Sequence, residues 1–117
     1  MTILSKTFRG NAYAFEQTEV FDSSGDGNEV LANLIMKYYS LQVVGVGIAP
    51  NSWNVDLQVS SNGIDWSTIM THATGLGNGE IYWSGNQMFP SRKMRAKVNS
   101  VDLGTATGLK VTIIGVP

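Results

Sequence analysis

The residues able to do acid–base, nucleophilic or metal chemistry are few, and their spacing assembles no known site. His72 is the single histidine, and the chain has no cysteine. A zinc centre needs further nitrogen or sulfur ligands that the sequence does not supply. A serine nucleophile would need His72 as its base, and no serine stands in the Gly-x-Ser-x-Gly pattern that forms a nucleophile elbow. His72 therefore reads as a polar residue at the end of a strand. Asp22, Asp26 and Glu29 lie in a glycine-rich loop, where carboxylates suit calcium. Their spacing departs from the EF-hand loop and no further carboxylates intervene, so a solvated turn accounts for them. Asn62 and Asp65 fit side-chain to backbone bonds in a second turn. Nothing marks a pair of carboxylates for glycoside hydrolysis. These residues predict a protein that is not an enzyme, with no catalytic residue, no metal and no cofactor.

Residues suited to binding are more numerous. Trp53, Trp66, Trp83, Tyr38, Tyr39 and Tyr82 supply flat rings of the kind that stack on pyranose sugars. By alternation Trp53 and Trp66 share faces with apolar neighbours and read as core. Trp83 beside Ile81 does too, which leaves Tyr82 facing out. The basic residues are unevenly placed: Arg92, Lys93, Arg95 and Lys97 hold four of the eight lysines and arginines within six positions. Such a run either meets an acidic surface or protects an edge strand from pairing with another chain. No aromatic residues interleave with it, as single-stranded nucleic acid binding would require, so a protein surface is the expected partner.

The elements that must position these residues are organised around residues 52–71. Trp53, Val55, Leu57 and Val59 alternate with Asn54, Asp56, Gln58 and Ser60, the period of a half-buried strand. Ser61, Asn62 and Gly63 form a polar turn. A second alternation sets Ile64, Trp66, Thr68 and Met70 against Asp65, Ser67 and Ile69, which predicts a hairpin. Residues 2–7 suit a short first strand. Residues 12–21 alternate with mixed polarity, as expected near a sheet edge, and 22–28 read as a surface loop. Residues 29–36 fit either a short strand or one helical turn. Residues 38–48 leave little polar face and predict a central strand buried on both sides, with Gly45 and Gly47 marking a bulge or bend. Further strands fall at 80–84, 94–98 and 109–116, with loose turns at 72–79 and 102–108.

About eight strands, with no convincing long helix, predict an all-β, single-domain antiparallel β-sandwich, jelly-roll-like in arrangement. An immunoglobulin-like sandwich is the competing arrangement. The 117 residues make one domain, with residues 1–10 as a candidate N-terminal arm. Charged residues are only 15% of the chain, below the usual quarter, and the 13 glycines suit many tight turns. A formal net charge of −1 gives no global field to attract nucleic acid or acidic lipid. No apolar run approaches the ~20 residues needed to span a bilayer, and residues 1–10 are too polar for a signal peptide. A product made in the host cytosol is expected, with no membrane or nucleic-acid partner.

Three motifs carry a family resemblance. Ser61-Asn62-Gly63-Ile64-Asp65-Trp66 resembles the Ser-x-Asp-Gly-x-x-Trp turn of discoidin-like sandwiches and of many small phage structural proteins, with Asn62 in place of Asp. Met94-Arg95-Ala96-Lys97-Val98 resembles a later strand of the same proteins. Gly104-Thr105-Ala106-Thr107-Gly108, before Leu109-Lys110-Val111-Thr112-Ile113, resembles their C-terminal hairpin. The resemblance covers residues 38–117. Discoidin domains are larger, secreted and often disulfide-linked, so the short chain without cysteine is more similar to the phage proteins. This implies a capsid decoration (cement) protein: a homo-oligomer on the capsid surface of the virion, bound to the major capsid protein. The contacts expected are Ile3, Leu4, Phe8 and Arg9 in the arm, with Arg92, Lys93, Arg95 and Lys97 in the basic strand. The alternative is a carbohydrate- or receptor-binding module of a tail-associated protein, using Trp83, Tyr82 or Tyr39.

Overall fold

In the computed structural model, which describes residues 2–7, 15–31, 38–74, 81–85 and 93–116, the alternating run at 52–60 is a strand in the middle of one sheet. The strands are β1 (Thr2–Thr7), β2 (Phe15–Phe21), β3 (Gly25–Asp26), β4 (Val30–Leu31), β5 (Tyr38–Val46), β6 (Ser52–Ser60), β7 (Ser67–Ala73), β8 (Ile81–Gly85), β9 (Lys93–Asp102) and β10 (Gly108–Val116). All pairings are antiparallel. Sheet A runs β1-β2-β10-β5-β8. Sheet B runs β3-β9-β6-β7, with β4 also pairing β9.

That order identifies the arrangement. With β1 set aside, and β3 and β4 taken as one interrupted strand, eight strands remain. In chain order they stand 1-8-3-6 in sheet A and 2-7-4-5 in sheet B. This is the jelly roll of two Greek keys. The immunoglobulin arrangement distributes its strands differently and is excluded. Consecutive strands mostly alternate between the sheets, so one core lies between two facing sheets and the chain forms a single domain. Residues 104–108 therefore do not close a C-terminal hairpin: β9 belongs to sheet B and β10 to sheet A, and the turn carries the chain across the sandwich.

The core is built by the inward residue of each alternation. Trp53, Val55, Leu57 and Val59 of β6 and Met94, Ala96 and Val98 of β9 meet Tyr39, Leu41 and Val43 of β5 and Leu109, Val111 and Ile113 of β10. Burying aliphatic and aromatic surface of this kind is the main favourable term in folding. On the outer face of sheet A, Thr18 and Thr112 stand opposite each other and their hydroxyls hydrogen-bond at 2.9 Å.

β2 lies near the edge of its sheet, as expected, second after β1 and beside β10. Several other sequence expectations change. β5 keeps an unbroken register with β10 through Gly45, so there is no bulge there. Its outward residues Ser40, Gln42, Val44 and Val46 are half-buried, and Ile48 lies beyond the strand, 56% exposed. Gly47 has φ +86° and starts the turn to β6. The basic strand β9 is interior, flanked by β3 and β4 on one side and β6 on the other, so protection of an edge does not explain its charge. Residues 29–36 begin as the short strand β4; 32–37 lie outside the described residues. Over Thr2–Thr7 the candidate arm is β1, paired with β2 at the rim of sheet A.

Candidate functional site

The outer face of sheet B gathers the polar halves of three alternating strands. Register sets Asp56 opposite Lys97, Gln58 opposite Arg95 and Ser60 opposite Lys93. Thr71 stands across from Asp56 on the other side, and Thr68 from Gln58. Cross-strand neighbours on one face lie close enough to bond, and these do. Thr71 and Thr68 donate to Asp56 at 2.7 and 3.3 Å. The Gln58 amide donates to Thr68 at 3.3 Å, and its carbonyl accepts from Arg95 Nε at 2.9 Å. Asn99 donates to Asn54 at 2.8 Å.

The basic residues bring their own counter-charges. Lys93 pairs with Glu29 at 2.8 Å and Arg95 with Asp26 at 3.4 Å. The Arg95 guanidinium also lies 4.1 Å from the centre of the Trp66 ring, a cation–π contact. Solvent-facing pairs like these add little to stability. Their effect is to balance the charge on the face, with Glu29 and Asp26 supplied by the glycine-rich segment before β4. Among the described residues no group of three or more acids or histidines converges on a possible metal position. Lys97 stands in register between Asp26 of β3 and Asp56 of β6. For Ile3 and Leu4 only the backbone is described, in β1; Phe8, Arg9 and Arg92 lie outside the described residues.

Trp66 departs from expectation. The alternation from Ile64 to Met70 predicted a core position, but residues 61–66 form the loop and β7 begins at Ser67. Trp66 is half-buried on the outer face beneath Arg95, and Ile64 is 79% exposed. The loop is held by Asn62, whose side-chain oxygen accepts from the backbone N–H of Ile64 and of Asp65, both at 2.8 Å. Tyr39 is in the core at 1% exposure and offers nothing to a sugar. For Tyr38, Tyr82 and Trp83 only the backbone falls among the described residues.

Two buried polar groups escaped sequence reading. Gln17 and Glu19 of β2 point into the sandwich beside Phe21, at 1% and 2% exposure. The Gln17 amide donates to Glu19 at 2.7 Å and to the Asn28 carbonyl at 3.0 Å. Glu19 also accepts from the Asn28 backbone N–H at 3.0 and 3.1 Å. The adjacent Gly27 N–H bonds the Ala96 carbonyl at 2.7 Å. A side chain at Gly27 would meet that carbonyl at 2.9 Å and Glu19 at 3.0 Å. The cluster thus fastens the loop that carries the chain from sheet A to sheet B.

Burial raises the Glu19 carboxyl above its ordinary value of 4.5, and the hydrogen bonds from Asn28 and Gln17 only partly offset this. A raised folded-state value means the group's stabilising contribution is complete below about 4.5 and is lost as pH rises through the folded value. Glu19→Gln should therefore flatten the dependence of urea midpoint on pH just above 4.5. An unchanged slope would show that Glu19 titrates normally.

His72, one residue from the end of β7, is likewise inward and only 4% exposed. Its Nδ1 accepts from the Trp53 indole N–H at 2.9 Å, with the rings stacked at 6.0 Å and 30°. No spacing rule links residues 53 and 72; the antiparallel pairing of β6 with β7 brings them together.

No protein-family model matches the chain, and no curated protein matches it. Among solved structures, SPBc2 prophage-derived protein YomS superposes with a TM-score of 0.59 at 15% identity, covering 89% of this chain and 95% of that one. PirA superposes with a TM-score of 0.45 at 12% identity, covering 92% and 96%. The likeness to YomS extends over nearly the whole of both chains and establishes a shared fold.

Proposed function

We propose that the protein is a non-enzymatic structural component of a phage virion, a decoration protein that binds the major capsid protein at the capsid surface after synthesis in the host cytoplasm. The observation that carries this reading is the jelly roll and its likeness to a prophage-derived protein along almost its full length. The motifs of the β6–β7 loop and of β9, similar to those of small phage structural proteins, favour the same class.

The exposed residues suit bridging. Ile48 and Ile64 project from loops at opposite ends of β6, 56% and 79% exposed. A nine-residue strand separates such points by roughly 30 Å, enough for one subunit to touch two neighbours. Lys93 and Arg95 are paired with acids, so Lys97 is the described residue of the basic run proposed to meet an acidic capsid surface, with Arg92 proposed beside it from the sequence. Ile3, Leu4, Phe8 and Arg9 are proposed to contribute from the β1 side. Many modest contacts repeated by symmetry, in a homo-oligomer, raise the cost of separating capsid subunits.

Co-sedimentation with capsid shells tests the reading. Stoichiometric binding is expected, and deletion of residues 2–10 should abolish it while retaining the far-ultraviolet spectrum, because β1 lies outside the eight strands of the roll. A monodisperse monomer that never sediments with shells would end the decoration reading. Full binding by the folded deletion variant would remove only the β1 contacts.

A further inference from the structure

We propose that His72 and Trp53 form a proton-operated clasp: the neutral imidazole holds the indole, and its protonation releases the end of β7 from the start of β6. The two strands are joined there by a compact set of bonds. The Trp53 N–H donates to the Thr74 hydroxyl at 2.6 Å. The Trp53 carbonyl accepts from the Thr74 N–H at 3.0 Å and from its hydroxyl at 3.1 Å. The side-chain bond from the indole to His72 completes the set at 2.9 Å.

The geometry fixes the state of the imidazole. Nδ1 accepts from the indole, so in the neutral ring the proton sits on Nε2. Nε2 is buried and has no hydrogen-bond partner among the described residues. A second proton must go to Nδ1, where it would face the indole N–H. Two donors would then oppose each other at a distance that only a donor–acceptor pair tolerates.

Nothing among the described residues compensates the cation. On β7 there is no other charged residue, and on β6 the inward side chains are Trp53, Val55, Leu57 and Val59. The one acid of β6, Asp56, is on the outer face and bound by Thr68 and Thr71. Across the core β5 presents Tyr39, Leu41 and Val43, of which only the buried Tyr39 is titratable. At the end of β9, Asp102 is exposed and accepts from the Gly104 N–H. Burial accordingly lowers the imidazole from its ordinary value of 6.5, with its own backbone bond opposing.

The sign makes the device local. A lowered folded-state value means this group's contribution is complete above about 6.5 and is lost as pH falls through the folded value. Glu19, in its cluster with Asn28, responds in the opposite sense, gaining as it is protonated. Acid therefore loosens the outer strand of sheet B while the loop fastened to β2 holds, and sub-global opening of one edge follows rather than collapse.

The test uses the whole chain, in which a single histidine gives one unambiguous imidazole proton signal. The indole N–H of Trp53 is assigned by its absence in Trp53→Phe. On lowering the pH from about 7.5 to about 5, the imidazole should titrate below 6.5, the Trp53 indole signal should shift with the same midpoint, and amide exchange in β7 should rise about tenfold while β10 is unchanged. His72→Asn, which keeps an acceptor near Nδ1 but does not titrate, should remove that pH dependence. An imidazole titrating at or above 6.5, an indole signal unmoved through the titration, or the same acid-dependent exchange in folded His72→Asn would each overturn the clasp. Should His72→Asn fail to fold, the imidazole and indole titrations decide the question.

Discussion

Trp53→Ala is expected to destabilise the protein by roughly 3–5 kcal/mol, as large-to-small changes at buried aromatic positions do. The indole is 4% exposed in the core, its strand position opposite the partly buried Val101 of β9 and its ring stacked on His72 of β7. Its loss removes buried apolar area, leaves a cavity between rigid strands and strips His72 Nδ1 of its donor. Urea unfolding at neutral pH measures the effect. A loss below about 1 kcal/mol would place the indole in solvent rather than in the core. Trp66→Ala is the internal comparison: the half-buried ring beneath Arg95 should cost only about 1 kcal/mol, chiefly the cation–π contact.

Gly45→Ala should be the most damaging single-methyl addition among the described residues, toward or beyond the upper end of the roughly 1–3 kcal/mol range for overpacking. The added carbon would strike the Ile48 carbonyl, and would lie 2.6 Å from Pro50 Cδ and 2.8 Å from Ala49 Cα. These are backbone and ring atoms of the turn that folds back over β5, so none can swing aside. Gly47→Ala separates this steric effect from backbone strain. There the carbon meets nothing, but φ is +86°, and the cost should be about 1–2 kcal/mol. Thermal unfolding of the two variants would distinguish them; equal losses would mean the close approach at Gly45 relaxes freely.

What could be read from the sequence followed the regularity of each strand. In β6 and over residues 94–98 of β9 every second residue is apolar, and the structure buries those residues and turns Asp56, Gln58, Arg95 and Lys97 outward. The jelly-roll class followed from the number and spacing of such runs. β2 resisted the same logic because its inward positions are Gln17 and Glu19. Their partners come from Asn28 and the turn around Gly27, and no pattern within residues 15–21 announces that. Trp66 was misplaced because its alternation with Ile64 and Thr68 runs across a loop, and the register shift opposite Leu57 and Gln58 then breaks the count further along. The basic strand was legible as a charge run, but the acids that balance it lie 64 and more residues earlier, in β3 and in the link from β3 to β4. Periodicity within a strand reports its face; it is silent about which distant loop will supply a partner.

The position of β10 between β2 and β5 also governs when the molecule can first become itself. Thr18 meets its hydroxyl partner Thr112 across 94 residues of chain. Until residues 108–116 have been synthesised, β2 and β5 have no strand between them, and sheet A exists only as separate pieces with their apolar faces in water. Contacts spanning such distances make β-sandwiches slow to fold, on the order of milliseconds to seconds. A ribosome adding about 5–20 residues per second would hold the unfinished roll in that state for several seconds. The hairpins of β1 with β2 and of β6 with β7, whose pairings are local, are able to form early, and they would wait for the rest of the core to arrive.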